Sequence, residues 1–260
     1  MQLSFSSWNI GSGNAQRTER CVAYLSKLNP DVFGLLEVSG KNAFPPVMKW
    51  FPEHTFSIFE NGDNSNQGIL IGVRRSLQSF LTHRDELQSN LPTLRPGGLV
   101  TIKINEQLVT FLFVHLKAFN DPRSWGLRDD MFQHISSLKR KLGKDYPLIC
   151  LGDFNTVGLN ATYNSISDLE SQEELQSLST RLSRAGLKAV HKTQAYTWWN
   201  GGKTYKKADL DHVFCTPSFP SSTIKVLGWP EFSDSREIES WIKDYSDHAL
   251  LYSETIIASS

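Results

Sequence analysis

Short apolar runs recur along this chain between amphipathic stretches, and none of them exceeds six or seven residues. That length suits a buried strand and falls far below the ~20 apolar residues that cross a bilayer. The pattern predicts strands at 3–10, 32–38, 67–73, 99–104, 108–116 and 147–151, then at 196–199, 210–215, 224–227 and 249–257. The 108–116 run is apolar on both faces, which marks a central strand. Helices are expected where apolar residues return every three or four positions. One covers 17–28, with Cys21, Val22, Leu25 and Leu28 on one face; another carries Leu127, Met131, Ile135, Leu138 and Leu142. Ser171 with Glu174 reads as a capping box opening a helix that Gly186 closes, and a short helix is expected around 238–242. Many doubly apolar strands with helices interspersed imply an α/β fold: two packed sheets covered by helices on the outside, in one domain over 1–260.

Composition narrows the function. With 39% hydrophobic and 21% charged residues and no run of like charge, the chain is globular rather than disordered. Lys and Arg, 27 together, cancel 27 Asp and Glu, which argues against a protein that grips long duplex DNA through a basic surplus. Cys21, Cys150 and Cys215 are odd in number and set among apolar neighbours, so reduced core thiols are expected, and no CxxC suggests zinc. The first residues have neither a basic n-region nor an apolar h-region, making a cytosolic address the default expectation, with no membrane partner. No heptad, repeat or long apolar edge is evident, so a monomer is expected.

The polar residues that need explaining sit at strand ends. Asn9 closes the first strand, Glu37 the second buried one, and His115 the central one; Asp153 and Asn155 follow the 147–151 run. Asp211 lies in a late strand, and Asp247-His248 immediately precedes the last. Taken singly, a strand-end Asp or Asn is a turn or cap residue and a lone His a satisfied polar group. Glu37 resists that reading, since a charge after Val-Phe-Gly-Leu-Leu needs a partner. In packed sheets such ends converge on one edge, and four carboxylates, two asparagines and two histidines there suggest an oxygen-ligated Mg²⁺ or Mn²⁺ site with acid/base histidines.

The segments Ser7-Trp8-Asn9-Ile10, Leu35-Leu36-Glu37-Val38, Val114-His115-Leu116, Gly152-Asp153-Phe154-Asn155, Asp209-Leu210-Asp211-His212 and Ser246-Asp247-His248 occur in an order that resembles the endonuclease/exonuclease/phosphatase superfamily, the DNase I-like enzymes. The resemblance implies a four-layer α/β/β/α sandwich and a Mg²⁺-dependent phosphoester hydrolase, with Mn²⁺ as a substitute. It implies that Glu37 is the first metal ligand, with Asn9 and Asp247 as secondary or water-mediated ligands. Asp153 matches the residue that aligns or deprotonates the attacking water, and Asn155 the one that holds the phosphate or that water. His248 matches the histidine at the phosphate, Asp211 the carboxylate that orients its ring, and His115 a donor to a nonbridging oxygen. Asp153 and His248 are both candidates for taking the proton of the water.

The chain departs from relatives in two places. Many members carry Arg where this chain has Asp209, which adds negative charge near the site; abasic-site enzymes carry a Tyr and an Asn where this chain has His115 and Ala118. The inositol-phosphatase signature is absent. Trp198 and Trp199, followed by Lys203, Lys206 and Lys207, are candidates for stacking on bases beside phosphates, against a reading in which one Trp is core and the lysines solvate a hairpin tip. Arg128 is a further candidate for substrate binding, against placement on a helix surface. Arg74-Arg75 and Lys139-Arg140-Lys141 read as solvated ends of a strand and a helix, and the polar stretch 61–67 as a connector or cleft border. The leading functional expectation is a nuclease or nucleic-acid-end phosphodiesterase. The alternatives are a phosphatase or phosphodiesterase acting on a lipid or sugar phosphate, and a catalytically inactive binding module.

Overall fold

Two six-stranded sheets form the centre of the molecule, each built around one parallel pair of strands joined by a helix. The computed structural model describes residues 1–11, 14–60, 67–82, 87, 97–161, 167–202, 204–220 and 222–257. The first half contains β1 (Gln2–Asn9), α1 (Ala15–Leu28), β2 (Val32–Val38), α2 (Gly40–Trp50), β3 (His54–Phe59), β4 (Gly68–Arg74) and β5 (Gln78–Leu81). Then come β6 (Gly97–Ile104), β7 (Gln107–His115), α3 (Pro122–Leu142), β8 (Leu148–Asp153), α4 (Ser171–Arg184) and β9 (Lys188–Ala189). The chain ends with β10 (Asp211–Cys215), β11 (Lys225–Leu227), α5 (Ser235–Asp244) and β12 (Leu250–Ile256).

One sheet has the order β11-β12-β1-β2-β4-β3 and the other β5-β6-β7-β8-β10-β9. In each, the two central strands run parallel, β1 with β2 through α1 and β7 with β8 through α3, while the other pairs are antiparallel. Alternation along β7 explains why its sequence is apolar throughout. Phe111 and Phe113 point into the core between the sheets, with Val32, Ile71 and Leu151; Leu112 and Val114 point outward to Met131, Ile135 and Leu138 of α3 and Leu182 of α4. On the far side Trp8, Phe33 and Leu35 face Val22 and Leu25 of α1, Val47 of α2 and Trp241 of α5. Helix, sheet, sheet and helix therefore stack as four layers, the expected sandwich.

Two local features aim side chains at the edge where the parallel pairs end. Glu37 sits at an irregularity between Leu36 and Val38 in the β2–β4 pairing, with φ +56°. Gly152 precedes Asp153 with φ +139°, and a Cβ there would lie 2.0 Å from the Val114 carbonyl oxygen, so only glycine lets β8 lie against β7 at this point.

Several expectations shift. No strand forms at 196–199; Trp198 makes only isolated bridges to Ala208 and His248. Helix α2 was not predicted, because Pro45 and Pro46 lie inside it and proline normally ends a helical pattern. The capping box of α4 uses Glu170 and Glu173, one residue earlier than Ser171 and Glu174. Lys139 is buried rather than solvated, its ammonium donating to the carbonyls of Gly143, Lys144 and Tyr146 at 2.7, 2.8 and 2.9 Å, where it closes the end of α3. All three cysteines are free and buried, as expected. No described helix is long and apolar enough to cross a membrane. Of the polar stretch 61–67, positions 61–66 lie outside the described residues.

Candidate active site

The ends of β1, β2, β7 and β8 meet, and Asn9 is the point where the two sheets touch there. Its buried amide nitrogen lies 2.9 Å from Asp153 Oδ2, 3.3 Å from Glu37 Oε1 and 3.4 Å from His248 Nε2, while its oxygen accepts the Gly11 N–H at 3.0 Å. Asn9 thus faces the carboxylates with a donor. The Asn9 oxygen, the atom a cation or its water would use, accepts the Gly11 N–H with one of its two lone pairs. His115, buried at the end of β7, brings Nε2 to 3.2 Å from Glu37 Oε1 and 3.7 Å from Asp153 Oδ2. Asp153 Oδ1 accepts the Asn155 N–H at 3.0 Å, and the Asn155 side chain donates to the Leu116 carbonyl at 3.0 Å. One amide hydrogen of Asn155 is left for another acceptor.

The second cluster centres on His248. Its Nδ1 lies 2.9 Å from Asp211 Oδ2 and its Nε2 3.8 Å from Asp153 Oδ2. The Trp198 indole donates to Asp247 Oδ2 at 3.0 Å. Burial, helped by Asp211, penalises the ionised Asp153 more than the nearby histidines and Asn9 favour it, so its carboxyl is held above the usual range. Burial pulls the His248 imidazolium down, but Asp211 and Asp153 together outweigh it and raise the ring to about 10. Asp153, Asp211 and His248 each place a ligand atom within 4.8 Å of the others, a group that could hold a metal ion. The donors fit a hard cation: Glu37, Asp153 and Asp247 line one cleft and supply carboxylate oxygens, the ligands Mg²⁺ and Mn²⁺ prefer. A buried carboxylate that is costly to ionise gains from such a charge. The cleft measures about 730 Å³, a volume suited to a small ligand or a strand end.

Comparison with known families finds a match to the endonuclease/exonuclease/phosphatase family model over residues 6–248. The chain belongs to this family. No curated protein matches the sequence at a significant level. Among solved structures, TDP2 from D. rerio complexed with single-strand DNA product has a TM-score of 0.67 at 18% identity, covering 98% of this chain and 99% of that one. Truncated TDP2 from Caenorhabditis elegans gives 0.66 at 15% identity, over 99% and 98%. The mannosyl-6-phosphatase from Bacteroides thetaiotaomicron gives 0.65 at 18% identity, over 98% and 100%. At these identities the likeness establishes the DNase I-like fold. Members of the endonuclease/exonuclease/phosphatase family are metal-dependent hydrolases of phosphoester bonds.

Within this family fold, two expected substrate contacts are placed elsewhere. Arg128 is fully buried: its five N–H groups go to both carboxylate oxygens of Glu174 and to the carbonyls of Lys117, Phe119 and Gly158, at 2.6–3.1 Å. With every donor engaged, it holds the loops after β7 and β8 together and leaves nothing for a ligand. Trp199 turns from the cleft; it packs on Trp229, its indole donates to the carbonyls of Gly202 and Tyr205, and the Lys207 ammonium lies over its ring. Trp198 lines the cleft. Lys203 lies outside the described residues. The Asp209 carboxylate is paired with Lys192, so the extra negative charge expected beside the site is neutralised.

Other contributors were missed from the sequence. Thr197 Oγ1 accepts the N–H groups of Leu210 and Asp211 at 3.0 and 2.9 Å, fixing the backbone that carries Asp211. Ser246 Oγ donates to the Asn9 carbonyl at 2.6 Å and accepts the His248 N–H at 3.0 Å. Arg17 lines the cleft, tethered to the Ile242 carbonyl at 2.6 Å, and is the one arginine or lysine among the described lining residues. The available signal was its position: a cation in the first turn of α1 opposes the helix dipole and calls for another reason to be there.

Proposed function

We propose that the chain is a Mg²⁺-dependent phosphodiesterase acting on nucleic-acid ends or short single strands, with Mn²⁺ as a substitute metal. The observation that carries the reading is the convergence of Asn9, His115 and His248 on one carboxylate, Asp153, beside Glu37. Asp153 aligns the attacking water and takes its proton, while Asn9 keeps that carboxylate in register with Glu37. His248, oriented by Asp211 through Nδ1, presents Nε2 to a nonbridging oxygen, in the way a buried Asp orients a triad histidine. His115 and Asn155 donate to the remaining phosphate oxygens as charge gathers there. A divalent cation held by Glu37 and Asp247 would supply further neutralisation of the nonbridging and leaving oxygens.

The charge of the cleft supports a short substrate. Each phosphate gripped along a duplex usually has its own Lys or Arg, and the described lining has Arg17 alone. A sugar phosphate is the second reading, supported by a fold likeness to the mannosyl-6-phosphatase about equal to that to TDP2. A labelled panel of single- and double-stranded DNA, RNA, a 5′-tyrosyl oligonucleotide and mannose 6-phosphate, with Mg²⁺, Mn²⁺ and EDTA arms, tests both. Cleavage of nucleic acid that EDTA abolishes is expected. Release of phosphate from the sugar alone would replace the first reading with the second.

A further inference from the structure

Phe119 is the most exposed aromatic side chain among the described residues, at 69%, yet its backbone is held in the left-handed region at φ +78°. A bulky residue adopts that conformation only where its surroundings impose it. The constraint is visible. Arg128 Nη1 donates to the Lys117 and Phe119 carbonyls at 3.0 and 2.6 Å, the Asn160 N–H donates to the Asn120 carbonyl at 2.6 Å, and Asp121 caps α3. Arg128 is in turn fixed by Glu174. An exposed ring contributes little to the core, so burial of the ring does not explain this conformation.

The ring borders the cleft that holds Asp153 and Asn155. Trp198 and Tyr205 form another part of the same lining, their rings 6.1 Å apart at 75°, with Tyr205 also exposed, at 59%. Phenylalanine has no hydrogen-bonding group and no charge. What it can read is another flat face, and base–aromatic stacking is tolerant of base identity. A sugar phosphate, bristling with hydroxyls, gains less from such a wall.

We propose that Phe119 is a stacking platform for an unpaired nucleobase next to the scissile phosphate, making it the residue that selects base-bearing phosphodiesters over bare phosphate esters. This rests on the phosphodiesterase reading above and names the substrate feature that site recognises.

The test measures anisotropy of two fluorescein-labelled strands of equal length and charge, an oligothymidylate and an abasic backbone, both phosphorothioate-linked so that they persist. Wild type should favour the base-bearing strand about tenfold. Phe119→Ala should reduce that ratio to near one with abasic affinity unchanged, and Phe119→Trp should keep it. Phe119→Gly, which suits the positive φ, should lose the preference while melting no lower than wild type; a packing role would instead lower the melting temperature. Absence of base preference in wild type, or its survival in Phe119→Ala, overturns the proposal. Turnover of p-nitrophenyl thymidine 5′-phosphate is read separately. Base preference without turnover would sink the phosphodiesterase reading and leave the platform standing; turnover without base preference would do the reverse.

Discussion

Asp153 is the most burdened side chain in the molecule: buried, beside a second carboxylate, and reached by Asn9, His115 and His248 at once. If it aligns and deprotonates water, Asp153→Asn should lower kcat by about 10²–10⁴-fold. The same change removes a charge that burial disfavours, so the melting temperature should not fall. A melt lowered with activity retained would reverse the assignment. His54 offers a test away from the site. Its Nε2 donates to the Pro30 carbonyl at 2.8 Å, and its buried Nδ1 has no partner, so burial holds the ring neutral and its pKa below the usual value. The unfolded chain therefore binds more protons than the folded one once pH drops below about 6.5, and stability falls in that direction. His212 is lowered the same way, mainly by burial. Urea melts between about pH 7.5 and 5.5 should show wild type weakening, and His54→Gln, which keeps the bond to Pro30, should weaken less, with up to about 1.4 kcal/mol per pH unit at stake. Equal slopes would contradict the neutral assignment.

Strand ends were legible because their sequence carries two signals together, an apolar run and a polar residue that the run cannot absorb. That is how Glu37, His115 and Asp153 were found. Arg128 was misread because a helical arginine is exposed by default, and its partner Glu174 lies 46 residues away on α4, a pairing only the fold creates. Strand β5 was missed because its residues are exposed or half-buried and show no apolar pattern. The Trp198-Trp199 pair illustrates both outcomes: adjacent residues of one type, one toward the cleft and one toward Trp229. Trp198→Phe removes the donor that holds Asp247, and the Mg²⁺ concentration for half-maximal turnover should rise roughly tenfold. Trp199→Ala should instead cost about 2 kcal/mol in urea denaturation with turnover unchanged. Between the helices, Arg128→Met strands the buried Glu174 carboxylate and should cost about 3–5 kcal/mol; Arg128→Met with Glu174→Met should recover most of it. A double variant no more stable than the single one would mean that the three loop carbonyls, rather than the ion pair, dominate.

Across the molecule, β1 pairs with β12 from Gln2–Ile256 to Ser7–Leu251 and with β2 on its other side, so the first and last strands share one sheet. The resulting reading is of one folding unit, expected to melt in a single calorimetric transition as a monomer of 29.4 kDa. A separate low-temperature transition would divide it. The four-layer plan was legible from apolar runs and, by resemblance, from the motif order; the detailed walls of the cleft were not, since Phe119, Arg17 and Tyr205 sit on loops and a helix end, where periodicity carries no information. The central claim is that the edge where the two parallel pairs meet is a cation-assisted hydrolytic site. Its most direct test is turnover of p-nitrophenyl thymidine 5′-phosphate against Mn²⁺ concentration, for wild type and Asp153→Asn. The account predicts saturable activation in wild type, abolished by EDTA, with Asp153→Asn folded and slower by about 10²–10⁴-fold at every concentration. Turnover that persists in EDTA, or that Asp153→Asn keeps at the wild-type rate, would contradict it.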